Sequence, residues 1–274
     1  MSKLLLSLIL LFCVTTICFA QSTEEKGLCT EVYDQEKLVG LNRNKWKTGA
    51  TLRVRFIGGT PSLHAKVKQI VGEWEKFSNI KFKFIPKGTA EIRVAFVNNG
   101  RTWSLIGNAS QRFSIDPRTL RTYVNKHGPS MNFGWFDERT DEDEFRRTIL
   151  HEFGHALGCV HEHQSPAGNI PWNKPAVYKY YMDMGWTKAD VESNIFAKYS
   201  RGVSNSSYDK ESIMHYAIPA YLLTDPAYAV GWNRELSKTD IAFIGQLYPV
   251  IPPPVTTGEP RDNPDTRGSN TGRN

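Results

Sequence analysis

Apolar residues alternate with cations from Thr51 to Ile57. Leu52, Val54 and Phe56 share one side and Arg53 and Arg55 the other, the period of a half-buried strand. Gly58 and Gly59 end that run. Thr60 and Pro61 form a helix-start signal, and Leu63, Val67, Ile70, Val71, Trp74 and Phe77 recur at helical spacing, which predicts a helix packed on a sheet. Residues 80–85 and 91–97 return to alternation, so a strand, helix, strand, strand order predicts a mixed, twisted sheet. Residues 98–137 are rich in Gly, Asn and Ser and read as hairpins and loops, with the edge strand of the sheet expected near 131–136.

A second helical stretch follows. Thr140 is expected to cap it, with Asp143 completing a capping-box pattern and the acidic run 141–144 facing the positive end of the helix dipole. Capping accounts for this run without calcium, since no EF-hand spacing is present. Residues 174–184 and 188–199 read as helices, the second capped by Thr187. A last helix starts near Ser237, with Asp240 three residues on and Ile241, Ile244, Leu247 and Tyr248 on its buried side, until Pro249 stops it.

The two ends of the chain lack such periods. Lys3, an apolar run over residues 4–14 and Cys-Phe-Ala at 18–20 fit a signal peptide (residues 1–20) cleaved after Ala20, which predicts a secreted protein. Residues 21–44 are expected to form a pro-segment or N-terminal strap, 45–250 one catalytic domain, and 251–274, rich in Pro, Gly and Asn, a disordered tail. The net charge of +6 is concentrated between residues 41 and 100 and follows strand alternation. That pattern predicts a solvated sheet face rather than a nucleic-acid surface, for which no recognition motif is present. The expected state is a monomer with a protein or peptide partner and no membrane contact after leader removal.

Of four cysteines, Cys13 and Cys18 leave with the leader. Cys29 and Cys159 remain. In an oxidising compartment they pair most simply with each other; the rival reading puts Cys29 on a metal as a thiolate, in a latent form. Asn108 and Asn205 both open N-glycosylation acceptor patterns.

The chemistry lies in residues 151–162, His-Glu-Phe-Gly-His-Ala-Leu-Gly-Cys-Val-His-Glu. On a helix, His151 and His155 stand one turn apart on one face and can reach one ion. A catalytic zinc needs a third protein ligand and an open position. His161 can supply it if the helix ends first, and Gly158 tolerates the left-handed cap that would end it. Glu152 is turned by about 100° from His151 and can face a water without ligating the metal. Only seven of 274 residues are His, so this spacing arises by chance in about one such chain in 10⁵. For His163 and His215 the ordinary reading is a hydrogen-bonded core histidine.

Downstream, Ser212-Ile-Met-His-Tyr216 follows. A long zinc motif followed by a methionine turn is the metzincin pattern. Together with Glu162 directly after the third His and Trp103-Ser-Leu-Ile-Gly107, it resembles the astacin family of secreted zinc endopeptidases over roughly residues 45–250. The resemblance implies an α+β, two-lobed metzincin domain, with a twisted mixed sheet and helices above a zinc cleft and a less regular lobe below. It implies zinc ligation by His151, His155 and His161, Glu152 as general base, Met214 as the floor beneath the metal, and Tyr216 as a movable further ligand. It also implies that Glu162 anchors the mature amino terminus. The chain departs from the family where Thr102 stands in place of a disulfide cysteine and where residues 21–40 lack Phe-x-Gly-Asp, which marks a divergent branch.

Overall fold

The computed structural model describes Cys29, residues 44–199 and residues 207–250. The expected leader, nearly all of the pro-segment, the tail and the Asn205 acceptor lie outside the described residues.

The predicted strands and helix form as β1 (Thr51–Ile57), α1 (Pro61–Phe77), β2 (Lys81–Phe84) and β3 (Ile92–Ala95). β4 (Trp103–Ser104), a hairpin of β5 (Phe113–Ile115) and β6 (Thr122–Val124), and β7 (Met131–Asn132) follow. β1 pairs in parallel with both β2 and β3, β3 with β7 in parallel, and β4 antiparallel to β7, giving the order β2-β1-β3-β7-β4. The edge is therefore β4, and the stretch expected there lies one strand inward. A short apolar run reads the same at an edge or inside a sheet. Asn132 marks the difference, because its buried amide donates to the carbonyls of Val97 and Arg101 and accepts from the Val97 N–H.

β3 is buried on both faces, against its alternating pattern. The β5–β6 hairpin lies over its outer face, tied down by the fully buried Arg93, whose guanidinium donates to the carbonyls of Gly128, Ser110 and Phe113. Burial among carbonyls, with like charge from Arg55, pulls the Arg93 pKa down to about 10. The basic face is thus solvated at Arg53, Lys81 and Lys83, as expected, but not at Arg93.

α1 starts as predicted, with Thr60 Oγ1 accepting from the Leu63 N–H. It packs Leu63, Val67, Ile70, Val71 and Trp74 against the sheet and α2 (Glu142–Leu157). The α2 cap is Asp141, not Thr140. Asp141 accepts from the Asp143 N–H at 2.9 Å, while Thr140 Oγ1 accepts from the Asp137 N–H and closes the preceding turn. α3 (Lys174–Asp183) and the capping boxes of α4 (Lys188–Val191) and α5 (Lys238–Leu247) form where expected. The helix predicted over 188–199 is shorter. α4 gives way to a π-helical turn, Glu192–Phe196, where Ser193 and Asn194 side chains bond back to the carbonyls of Ala189 and Asp190 and compete with the α-helical ladder.

Two cores make two lobes. The upper joins the sheet, α1, α2 and α5; the lower gathers Ile170, Val177, Tyr181, Val191, Ile195 and Leu222. Cys159 lies in the upper core and Cys29 in the lower, and neither is in a disulfide, so the expected pairing is overturned. Asn108 is turned inward, its Nδ2 donating to the Lys45 carbonyl. No helix among the described residues is long and apolar enough to cross a membrane.

Candidate metal centre and active site

α2 carries the first two histidines and ends where the sequence demands. Gly158 adopts φ 104°, and its N–H bonds back to the Gly154 and His155 carbonyls. The reversal returns His161 to the helix it has just left. The Nε2 atoms of His151, His155 and His161 lie 3.1, 3.1 and 3.2 Å apart. Ligands about 2.0–2.1 Å from one tetrahedral zinc sit about 3.3–3.4 Å from each other, so the triangle has the size one ion requires.

Protonation points the same way. His151 Nδ1 is 2.8 Å from the Ile213 carbonyl and His155 Nδ1 is 3.0 Å from the Cys159 carbonyl. A carbonyl only accepts, so both Nδ1 atoms carry the proton and both Nε2 atoms turn bare lone pairs toward a common centre. Burial, then the neighbouring imidazoles, holds His151 and His161 well below the ordinary histidine range, so they are neutral, as ligands must be. Lone pairs facing each other repel unless a cation lies among them. The donor set fits zinc.

Cys29 completes the group. Its Sγ is 3.7 Å from His155 Nε2, and the four ligand atoms lie within 4.8 Å of one another, all in buried residues. Cys29 itself forms a parallel bridge to Thr102, just before β4. Tyr216 donates its phenol to the Cys29 carbonyl, while its ring stacks on His163 at 4.5 Å and meets His161 edge-on at 4.4 Å.

Glu152 is fully buried and lines the cleft beside His151, together with Trp135, Arg147, Thr148, Tyr216 and Trp232. Met214 lies under α2 so tightly that a Cβ on Gly154 would come 2.4 Å from its Sδ. His163 and His215 are buried and hydrogen-bonded, to Asn194 O and to the Tyr208 hydroxyl, as read from the sequence. Glu162 accepts from the Asp209 N–H at 2.9 Å, and burial pushes its carboxyl up to about 7. In the Trp-Ser-Leu-Ile-Gly segment, Gly107 admits the Asn44 carbonyl, which would lie 1.9 Å from any Cβ there.

All the candidate site residues, His151, His155, His161, Glu152 and Tyr216, thus converge on one cleft. Sequence reasoning did not find Arg147 or Asp240. Arg147 stands one turn before His151 on the same helix, a signal present in the spacing. Asp240 was read only as a cap, yet its carboxylate also accepts from Ser212 Oγ and the Ile213 N–H. It thereby fixes the residue whose carbonyl orients His151.

No family model matches the chain. Among curated proteins it is 26% identical over 211 residues to Zinc metalloproteinase nas-36 of Brugia malayi, covering 72% of this chain and 31% of that one. It is 21% identical over 234 residues to Zinc metalloproteinase dpy-31 of Caenorhabditis elegans, covering 78% and 34%. The chain thus spans about a third of the length of these relatives. Of solved structures, that of myroilysin is 42% identical at a TM-score of 0.71, covering 77% of this chain and 98% of that one. High choriolytic enzyme 1, a hatching-enzyme zinc protease of Oryzias latipes, shares the fold at a TM-score of 0.52 and 18% identity, covering 76% and 95%. With that extent of identity to a solved relative and a zinc-sized histidine triangle on the metzincin pattern, the chain belongs to the astacin family of zinc metalloendopeptidases.

Proposed function

We propose that this chain is a secreted endopeptidase that hydrolyses peptide bonds with zinc held by His151, His155 and His161. The observation that carries the reading is the triangle of bare Nε2 atoms 3.1–3.2 Å apart. Zinc, when bound, acidifies water toward neutrality and polarises a carbonyl. The rest of the work falls to the chain. Glu152 accepts the proton of the attacking water and returns it to the leaving amine. The Tyr216 phenol, which donates to a peptide carbonyl at Cys29, is suited to donate to the substrate oxyanion, an interaction worth about 3 kcal/mol in comparable sites. Secretion rests on the leader pattern of residues 1–20, and a mature product beginning at residue 21 or later is its direct check.

Glu152→Gln is the decisive variant. It should keep its zinc and lose at least about 10²-fold in kcat/KM on peptides. Zinc-loaded variant protein with undiminished hydrolysis would end the proposal.

Cys29 supports a latent form within the same reading. A thiolate at that position would compete with water for bound zinc, and the Cys29 carbonyl takes the phenol that substrate would need. Replacing it, Cys29→Ser in the full chain should raise peptide hydrolysis by about tenfold or more, since a hydroxyl is a far weaker zinc ligand than a thiolate. Equal rates in the two proteins would exclude thiol-held latency.

A further inference from the structure

The cleft beside Glu152 carries a group of side chains with no part in the reaction above. Glu144 stands at its centre, accepting from Arg147 Nε at 2.9 Å, Arg147 Nη2 at 2.6–2.7 Å, Trp135 Nε1 at 3.1 Å and Thr148 Oγ1 at 3.1 Å. The guanidinium so held lies against the Trp232 indole, 3.9 Å from its centroid. Trp232 leaves 36% of its surface exposed at the cleft, and the neighbouring Asn233 is pinned to the Lys210 and Ser212 carbonyls at 2.8 Å. Trp135, Arg147, Thr148, Trp232 and Asn233 line the same open space as Glu152 and His151.

We infer that this group is the subsite that selects a side chain flanking the scissile bond, and that it takes an aromatic residue, tyrosine before the others. The inference rests on the endopeptidase reading given above.

An arginine grips a carboxylate through two adjacent N–H edges. Here Glu144 already takes the Nε and Nη2 side edge, so a second carboxylate would meet a guanidinium that is already paired. Glu144 also balances the guanidinium charge. What remains is an apolar lining from two indoles and the outer N–H groups of the guanidinium. An aromatic ring suits such a lining, by stacked or edge-to-face contact. A phenol oxygen at its tip gives those N–H groups an acceptor, which sets tyrosine above phenylalanine. The salt bridge, the cation–π contact and the Asn233 bonds hold these side chains without help from a substrate.

The test is cleavage of a diverse peptide library by the zinc-loaded full chain carrying Cys29→Ser, alongside the same chain with Trp232→Ala, Trp232→Phe and Arg147→Met. One flanking position should favour Tyr and Phe over Ala by about tenfold in kcat/KM, the scale at which an apolar pocket discriminates. Trp232→Ala should collapse that ratio and Trp232→Phe restore most of it, a rescue that separates a ring contact from general damage. Arg147→Met should erase the difference between Tyr and Phe. A preference for Asp or Glu, a flat profile at every flanking position, or a profile unmoved by Trp232→Ala would overturn the inference while leaving the endopeptidase reading intact. Absence of any chelator-sensitive cleavage would overturn both.

Discussion

At the scale of residues, the tightest constraint in the site is the absence of a side chain. Gly154 sits inside the zinc motif, and a methyl group there would come 2.4 Å from Met214 Sδ and 3.2 Å from Trp74 Cζ2. Alanine gains about 1 kcal/mol in helix propensity over glycine, but forcing a methyl into a packed core costs about 1–3 kcal/mol. Met214 is 3% exposed, so it cannot yield by swinging into solvent. Gly154→Ala should therefore leave the protein less stable by up to about 2 kcal/mol, and should weaken zinc binding because Met214 moves the turn that orients His151. Thermal melts and a competitive chelator titration check both effects; an unchanged or raised Tm would show that the turn yields freely. The sequence made the spacing of His151, Glu152, Gly158 and His161 plain, since each follows from helix geometry. It could not reveal Arg93, whose place in an alternating basic strand looks solvated until the hairpin lands on it.

Among elements, the methionine turn and α5 act together. Asp240 caps α5 by accepting from the Ser237 N–H at 2.9 Å and holds the turn through Ser212 Oγ at 2.7 Å and the Ile213 N–H at 2.8 Å. The Ile213 carbonyl then fixes the His151 ring. Asp240→Ala leaves two buried donors of the turn unpaired, at about 1–3 kcal/mol each. It should lower Tm by several degrees and weaken zinc affinity about 10–100-fold, as losses of partners behind metal ligands do. An Asp240→Ala protein with native zinc affinity would show that the turn holds itself. Serine followed three residues on by aspartate announced the cap but not the tether, because the tether joins segments 27 and 28 residues apart. The same limit explains β7, which local pattern put at the edge, and the π-helical turn, where side chains competing for carbonyls end α4 early.

For the whole molecule, the proposed zinc site is where the lobes meet: α2 of the upper lobe carries His151 and His155, while Tyr216, whose ring meets His161, belongs to the lower core. Bound zinc should therefore stabilise both lobes together. A ligand at 1,000 times its Kd contributes about 4 kcal/mol, which in a domain of this size corresponds to a Tm shift of about 10 °C. Calorimetry with and without chelator should show that fall, reversed by added zinc; a Tm indifferent to chelator would mean the triangle is not a zinc site. Local sequence settled what local physics can settle: the periods of β1 and α1, the capping boxes, the left-handed stop at Gly158 and which histidines the helix and its stop bring together. The tertiary structure alone decided that Cys29 joins those histidines and not Cys159, that Tyr216 meets a backbone carbonyl, and that Glu144, Arg147 and two tryptophans form one wall. Those choices depend on contacts between residues distant in the chain, whose proximity is set by how the two cores close on each other and leaves no period or spacing in the sequence.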